Sequence, residues 1–279
     1  MKFRARMSEA FCMRTLSTIV TTISKLTKLC VLRLAKEHFY FIVLDDSALP
    51  LRTLVWCSMQ QSHFFNEYRL VGMPEDEDEI YLELSPDLLA SSLSSLKVNV
   101  SAAKTMKIKL THKDTPRLTL EIELPTQTSQ SRICMHEVPV QVVPYRRWGD
   151  YSEPAVLEPD ISIEMPNLKL LRNITERFKK LANFVNVFAG ADGQLMLNAE
   201  TSMAAVTTHF RNLQVFNVKD KNAGPFCTRV DVRKLTSFMT CEQVCPTRVT
   251  CHVKAGTSIQ LVAEHADMNL SFYLAGVDE

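Results

Sequence analysis

The chain has 279 residues, enough for one or two domains with their own hydrophobic cores. Its 32 Lys and Arg side chains nearly balance 31 Asp and Glu side chains, which excludes a uniformly basic protein that binds nucleic acid with its whole surface. A hydrophobic fraction of 46% excludes extended disorder. Only seven glycines occur, and they are not spaced as nucleotide-binding loops require. We therefore expect a folded protein without a cofactor.

The N-terminal residues 1–7 contain no apolar signal core. The longest uninterrupted apolar run, 39–44, is far shorter than the roughly 20 residues that cross a bilayer. Eight cysteines stand at irregular positions, which is typical of reduced thiols inside cells. The sequence predicts a soluble, intracellular chain with no membrane contact.

The first half of the chain predicts two helices among short strands. Apolar residues three and four apart predict an amphipathic helix over 9–28. Ser85, a good N-cap, and Pro86 begin a second helix over 86–97. Alternating or apolar runs predict strands at 2–7, 31–34, 39–44, 54–56, 80–84, 106–110 and 118–124.

The second half repeats this order, which indicates an internal duplication. A helix is predicted over 167–182 and a short one near 233–241. An Ala-Asp-Gly turn at 191–193 predicts a hairpin. Predicted strands are 161–165, 184–189, 194–199, 203–210, 248–253, 258–262 and 270–274.

A Ser/Thr/Gln-rich stretch separates the two halves. We interpret 1–124 as a first domain, 125–144 as a connector with a crossing strand, and 145–279 as a second domain. The predicted fold class is α+β, with two similar domains that each place two helices on one face of an antiparallel sheet.

Several stretches resemble one known family in the right order along nearly the whole chain. They are 2–5, 64–68, 79–84, 107–111, 206–210 and 272–274. The chain resembles the Hus-type subunit of the DNA-damage checkpoint clamp, which has the PCNA-like sliding-clamp fold. It departs from the family in the second helix and over 214–227.

The resemblance implies a non-enzymatic subunit of a ring that encircles duplex DNA in the nucleus. Its implied partners are two other checkpoint-clamp subunits in a heterotrimer, an ATP-driven clamp loader, and the repair and checkpoint proteins that use the ring as a platform.

Cations on the predicted helices are candidates for contact with DNA phosphates. The compensating acids form a run at 75–79, which we place on an outer loop. For any single helix, a solvated basic face is the alternative interpretation. The candidate residues are Arg14, Lys25, Lys28, Lys169, Arg172, Lys179, Lys180, Arg233 and Lys234.

Two strands are candidates for the joints between subunits, because they match the strands by which the resembled fold assembles. Pairing across each boundary would cover strand edges that otherwise promote aggregation. The alternative is that both strands are interior. The candidate residues are Leu118, Leu120 and Ile122 in the first half and Val206, Thr208 and Phe210 in the second.

The resemblance also implies a pocket for client peptides between the connector, roughly 125–137, and the neighbouring sheet. The candidate residues there are Tyr40, Ile42 and Leu44. Ordinary core packing explains the same alternation equally well.

Enzymatic alternatives rest on two weaker patterns. Cys241, Cys245, Cys251 and His252 include zinc-binding residue types, but their spacing is not that of paired zinc ligands, so we expect no metal. Asp45 and Asp46 offer paired carboxylates to a metal-dependent nuclease or another hydrolase. A homotrimeric replication-type clamp is the third alternative.

Overall fold

Each half of the chain forms its own unit in the computed structural model. The first unit comprises Met1–Leu44 and Trp56–Ser152, and the second comprises Asp45–Val55 and Glu153–Glu279. For residues 53, 97 and 98 only the backbone is described. The structure describes residues 2–44, 53–72, 78–98, 103–112, 114–125, 131–155, 157–220, 224–265 and 268–277. Asp45, Asp46 and residues 75–77 of the acidic run lie outside these ranges.

The strands of the first unit follow the order β4-β3-β2-β6-β9-β8-β7-β1-β5, and β4 belongs to this unit from Trp56 onward. A short 3₁₀ helix, Tyr145–Tyr151, follows the last strand. The elements are β1 (Lys2–Met7), α1 (Ala10–Leu26), β2 (Cys30–Leu34), β3 (His38–Leu44), β4 (Thr53–Gln60), α2 (Gln61–Phe64), β5 (Glu67–Val71), β6 (Ile80–Leu84), α3 (Pro86–Leu93), α4 (Ser95–Val98), β7 (Thr105–His112), β8 (Pro116–Pro125) and β9 (Ser131–Val142).

The second unit has strands in the orders β14-β10-β16-β17-β18 and β13-β12-β11-β15. A 3₁₀ helix, Met239–Val244, follows its second helix. The elements are β10 (Ile161–Glu164), α5 (Leu168–Leu181), β11 (Phe184–Ala189), β12 (Leu195–Glu200), β13 (Ala205–Phe210), β14 (Val215–Val218), β15 (Phe226–Asp231), α6 (Val232–Phe238), β16 (Arg248–Lys254), β17 (Ser258–His265) and β18 (Met268–Ala275).

The internal duplication extends to individual strand pairs. In the first unit β1 pairs with β5 and β7, β2 pairs with β3 and β6, and β8 pairs with β7 and β9. In the second unit β10 pairs with β14 and β16, β11 pairs with β12 and β15, and β17 pairs with β16 and β18. The α+β class and the two similar units predicted from the sequence are confirmed.

The apolar stripe of α1 faces the core of the first unit. Met13, Val20 and Ile23 are buried, as their spacing of three and seven residues predicts. The helix packs against α3, and its last backbone bond runs from Thr27 N–H to the Ile23 carbonyl. It therefore ends at Leu26, two residues before the predicted boundary.

Helix α5 begins where the sequence predicts it. The Asn167 side chain accepts hydrogen bonds from the backbone N–H groups of Lys169 and Leu170, at 3.0 and 3.2 Å. This N-cap satisfies donors that have no partner within the helix. Leu171 and Phe178 are buried on the inner face, and α5 packs against α6.

The predicted helix over 86–97 is two short helices. Ser94 separates α3 from α4, and its N–H bonds to the Ser91 carbonyl in a tighter turn. The helical spacing predicts a buried face with Leu88, Leu89, Leu93 and Leu96; the last three are buried, but Leu88 is 49% exposed. The departure from the resembled family falls in this region.

Strands β5, β14 and β15 were not predicted, because they are short and carry few apolar residues in alternation. β14 and the start of β15 lie in the segment 214–227, where the sequence departs from the resembled family. The first unit ends at Ser152, and the chain from Glu153 onward belongs to the second. Residues 131–142 of the region interpreted as the connector form β9, a strand of the first unit.

The predicted hairpin turn at 191–193 is present between β11 and β12. Gly193 has φ of +78°, and a Cβ there would lie 2.6 Å from the Leu213 carbonyl oxygen. A side chain would therefore clash with a neighbouring backbone as well as strain this residue.

No helix in the described ranges is both long and apolar enough to cross a membrane.

Candidate functional site

The predicted basic stripe of α1 is shorter than the sequence suggested. Arg14 and Lys25 are exposed on the helix. Lys28 lies beyond the end of α1, and its Nζ is 2.8 Å from Asp87 Oδ2 at the start of α3. An acid therefore offsets the charge of Lys28, which the sequence placed on the helix face.

On α5 the exposed cations differ from the predicted set. Lys169, Lys179 and Lys180 are exposed, but Arg172 is half-buried with its Nη1 4.0 Å from Glu242 Oε2. Arg177, which the sequence reasoning missed, is exposed and stands eight residues after Lys169. Residues four and eight apart share one helix face, so this spacing could have identified it.

Lys179 also has a local counter-charge, since its Nζ lies 3.2 Å from Glu176 Oε2 on the same helix. The remaining outward cations on this helix face are Lys169, Arg177 and Lys180. Such pairs on an exposed helix are worth only about 0.3–0.5 kcal/mol. Lys179 can therefore exchange Glu176 for an external anion at low cost.

The cations at the start of α6 stand against the helix dipole, but Asp231 compensates them. Its side chain caps the helix by accepting from the backbone N–H groups of Arg233, at 2.7 Å, and Lys234, at 3.3 Å. An acid at this position interacts favourably with the helix N-terminus. Arg233 is exposed and Lys234 half-buried.

β8 is an interior strand, so its predicted role as a subunit joint is wrong. It is hydrogen-bonded to β7 on one side and to β9 on the other along nearly its whole length. Leu118, Leu120 and Ile122 are buried in the core of the first unit. Their regular alternation reflects this buried face, and no edge of β8 is available to a second chain.

β9 carries the free edge that the sequence assigned to β8. Its residues from Ser131 to Pro139 pair with β8 alone, whereas Val140 to Val142 pair with β6 on the opposite side. Among the described strands, no partner covers the second edge of the first nine residues. Ile133 and Met135 are 65% and 61% exposed.

A signal for this edge was present in the sequence. Pro139 interrupts the run Val138-Pro139-Val140, and proline in a strand is confined to edges and bulges. β9 therefore combines a free backbone edge with two exposed apolar side chains.

β13 ends the four-stranded sheet of the second unit, and in the described part of the chain it pairs only with β12. Val206 is 37% exposed, and Thr208 and Phe210 are half-buried. His209, on the opposite face, is exposed and lies across from Met196. The strand has the geometry of a joint, and its role as one stays a prediction.

The predicted client pocket on β3 is partly closed. Ile42 is buried, Leu44 is half-buried, and the Tyr40 ring lies 5.2 Å from the Trp56 ring. The Arg33 guanidinium stands 4.8 Å above the Tyr40 ring. Of the three candidate residues, Ile42 is therefore inaccessible to a partner.

The sequence reasoning missed an aromatic cluster on this face of the first unit. Tyr81 stacks on Trp148 with ring centroids 4.5 Å apart, and Tyr145, 62% exposed, contacts Trp148 at 5.0 Å. Arg33 forms two hydrogen bonds with Glu79, at 2.8 and 2.7 Å. Burial is the main cause that raises the pKa of Tyr81. The stacking of Trp148 on Tyr81 of β6 anchors the 3₁₀ helix to the sheet.

The residues considered for zinc do not converge. Cys241 and Cys251 are buried, and burial raises the pKa of each thiol to about 12. Cys245 is exposed. His252 Nδ1 lies 2.8 Å from Ser162 Oγ, and burial lowers its pKa. In the described ranges, no three His, Cys, Asp or Glu side chains are grouped to hold a metal ion.

Comparisons with known proteins agree on one family. A sequence profile described as "Hus1-like protein" matches residues 1–278. The chain is 34% identical to "Checkpoint protein HUS1" of Homo sapiens, over 98% of this chain and 99% of the human protein. It is 29% identical to "Checkpoint protein Hus1-like" of Drosophila melanogaster, over 94% and 93%.

A solved structure supports the fold. The crystal structure of Proliferating Cellular Nuclear Antigen from Entamoeba histolytica superposes with a TM-score of 0.74 at 12% identity, covering 99% of each chain. Similarity at this identity concerns the fold alone. The profile match over residues 1–278 and the 34% identity to the human protein show that the chain belongs to the Hus1-like protein family.

Proposed function

We propose that this chain is one subunit of a heterotrimeric ring that encircles duplex DNA and holds checkpoint and repair proteins there. Members of the Hus1-like family are checkpoint clamp subunits, a scaffold family rather than a family of enzymes. The observation that carries the proposal is the pair of free strand edges, β9 in the first unit and β13 in the second.

Two different edges on one chain suit a ring. If β9 of one subunit pairs with the β13 equivalent of the next, every contact is head-to-tail, and a closed rotation generates a ring in which both of these edges are covered. The exposed Ile133 and Met135 would be covered in the same step. Burial of their apolar surface favours association by about 25 cal/mol per Å² before the costs of binding.

The cations of α1, α5 and α6 supply the proposed contacts with DNA. Arg14, Lys25, Lys169, Arg177 and Lys180 are exposed. Lysine and arginine bind the phosphate backbone without reading bases, so a clamp that slides needs contacts of this kind.

Loading requires a separate clamp loader in this proposal, and we place the assembled ring in the nucleus. Checkpoint and repair proteins would dock on the outer face near Tyr40 and Leu44 and on the aromatic cluster that includes the exposed Tyr145. An aromatic patch of this kind suits peptides with apolar anchors.

Sedimentation velocity tests the assembly. We expect the chain to sediment as a heterotrimer when mixed with the two other checkpoint-clamp subunits, and Met135→Lys to abolish that species. Leu29→Lys is the matched control, because Leu29 is 52% exposed and belongs to neither β9 nor β13. A heterotrimer that tolerates Met135→Lys as well as Leu29→Lys would contradict the proposed joint. A stable homotrimer of the chain alone would favour a replication-type clamp.

A further inference from the structure

A row of like charges crosses the outward face of the first unit's sheet. Arg4 on β1 lies directly opposite Arg69 on β5 and, on its other side, directly opposite Lys109 on β7. Arg4 and Arg69 are exposed. Like charges placed directly across adjacent strands destabilise a sheet.

The rest of this face increases the positive charge. Along the same face of β5, β1 and β7 lie six cations and one acid: Lys2, Arg4, Arg6, Arg69, Lys107, Lys109 and Glu67. We call this set of six cations the basic patch.

Local acids compensate only the border of the basic patch. Glu67 Oε1 lies 3.7 Å from Arg6, and Glu121 Oε1 lies 2.7 Å from Lys109. In the described part of the chain, Arg4 and Arg69 have no ion pair. Among the residues that the structure describes, none supplies a counter-charge at the centre of the patch.

The basic patch adjoins an unpaired strand edge. β5 ends the strand order of the first unit, and in the described ranges it pairs only with β1. Within those ranges, its outer backbone N–H and C=O groups have no strand partner. Such an edge is a template for an added strand.

We propose that the outer edge of β5 and the basic patch together bind an acidic peptide in extended conformation. Added next to β5, such a peptide would place alternate side chains above the patch at intervals of about 6.8 Å. On this face Arg69 of β5 would lie next to the peptide, and Lys2, Arg4 and Arg6 repeat at the same interval along β1, one strand further in, so that their long side chains extend toward successive acidic side chains. Backbone pairing supplies affinity, and charge supplies selectivity. The inference is independent of ring assembly.

A nucleic acid is the competing ligand for six cations. Proteins that bind single strands combine cations with aromatic rings on which bases stack. The outward residues of β5, β1 and β7 that the structure describes include no aromatic ring. A phosphate backbone also leaves the N–H and C=O groups of the β5 edge unused, so the peptide accounts for both features.

The binding test uses the purified full chain and a short fluorescein-labelled peptide in which Glu alternates with Thr. We expect fluorescence anisotropy to show binding that weakens with added salt and is absent for a peptide with Gln in place of Glu. Arg4→Ala with Arg69→Ala should weaken binding about fivefold or more. Lys36→Ala with Lys219→Ala removes the same charge from exposed sites outside the patch and should leave affinity unchanged.

Two further measurements separate the peptide from other ligands. Amide hydrogen exchange at Glu67–Val71 should slow when the peptide is bound, because edge N–H groups gain acceptors. A peptide N-methylated at alternate residues should bind more weakly despite equal charge. Equal affinity for the two double variants, or exchange at β5 that the peptide leaves unchanged, would overturn the proposal. Tighter binding of single-stranded or duplex DNA, abolished in the patch variant, would assign the patch to a phosphate backbone instead.

We expect the variant with Arg4→Ala and Arg69→Ala to fold normally. Removing Arg4 and Arg69 side chains relieves repulsion between opposite residues, so the free energy of unfolding without peptide should not decrease. Thermal unfolding of the variant and wild type checks this directly. A markedly lower melting temperature would show that the two arginines stabilise the fold, and the repulsion on which the proposal rests would be absent.

Discussion

Ser95 Oγ lies 2.9 Å from His136 Nε2, so a hydrogen bond joins helix α4 to strand β9. Val138, two residues further along the same face of β9, is buried. Residues on the opposite face, Ile133 and Met135, remain exposed. The helix thus holds one face of β9 in place while its neighbouring edge stays open.

The assignment of β8 to the interior and β9 to the edge predicts opposite responses to truncation. Leu120→Ala should lower the free energy of unfolding by about 2–5 kcal/mol, because it leaves a cavity in a packed core. Ile133→Ala should change it by less than about 0.5 kcal/mol, as is usual for exposed positions. Urea unfolding of the isolated chain measures both. Similar decreases for the two variants would mean that β9 is not an open edge.

Exposed cations on α5 should determine how strongly DNA binding depends on salt. Lys169→Ala with Arg177→Ala should lower the slope of log affinity against log salt by about 0.9 for each phosphate that the variant no longer neutralises. The decrease should be equal for different base sequences. Arg172→Ala, whose side chain lies 4.0 Å from Glu242, should change the slope less. Binding of the assembled clamp to duplex DNA at several salt concentrations tests this, and an unchanged slope for the double variant would count against it.

The second unit contains a carboxylate that couples stability to pH. The hydrogen bond from Lys254 Nζ to Asp160, at 2.9 Å, lowers the pKa of this carboxyl, as does the Ala255 N–H. The pKa of Asp160 is lower in the folded state than its ordinary value of 3.8. The ionised carboxylate therefore stabilises the fold at pH values above 3.8. That contribution is lost as the pH falls through the folded-state pKa.

Asp160→Asn should therefore be less stable than the wild type at neutral pH and should lose this difference in acid. Chemical denaturation of both proteins across the acidic range measures the gap. A gap that is constant with pH would show that Asp160 acts through packing and not through its charge.

The pair Arg33 and Glu79 should be sensitive to a conservative change. A lysine at position 33 cannot keep both hydrogen bonds to Glu79 and the stacking on Tyr40. We therefore expect Arg33→Lys to lower the free energy of unfolding by roughly 1–3 kcal/mol. Both tryptophans of the chain, Trp56 and Trp148, lie in the first unit, so the midpoint of a fluorescence unfolding curve reports this unit. The control, Lys36→Ala, removes an exposed ion pair with Asp78 and should shift the midpoint little. Equal midpoint shifts for Arg33→Lys and Lys36→Ala would show that the stacked guanidinium of Arg33 does not stabilise the first unit.

Local patterns predicted most elements and the α+β class, because apolar spacing and caps act within a few residues. The spacing of Met13, Val20 and Ile23 was sufficient to identify α1, and Asn167 marks the start of α5. The internal duplication was also readable, since each half repeats one order of elements.

Which strand is an edge depends on pairing between distant residues, and local alternation does not encode it. Leu120 alternates regularly because β8 has one buried face, whereas β9 mixes polar and apolar residues around Pro139. The same limit applies to Arg4 and Arg69, which are far apart in sequence and directly opposite in the sheet. The half-buried position of Arg172 near Glu242 could not be predicted either, because these two residues are 70 positions apart in the sequence.

Retention on circular DNA tests the proposed ring most directly. The chain, assembled with its two partner subunits and loaded by the clamp loader with ATP onto a nicked plasmid, should stay bound through a high-salt wash. Cutting the plasmid once should release it, because a ring slides off a free end. The Met135→Lys variant should not be retained. Complexes that dissociate at high salt from circular and linear DNA alike, with the wild-type chain present, would contradict the ring.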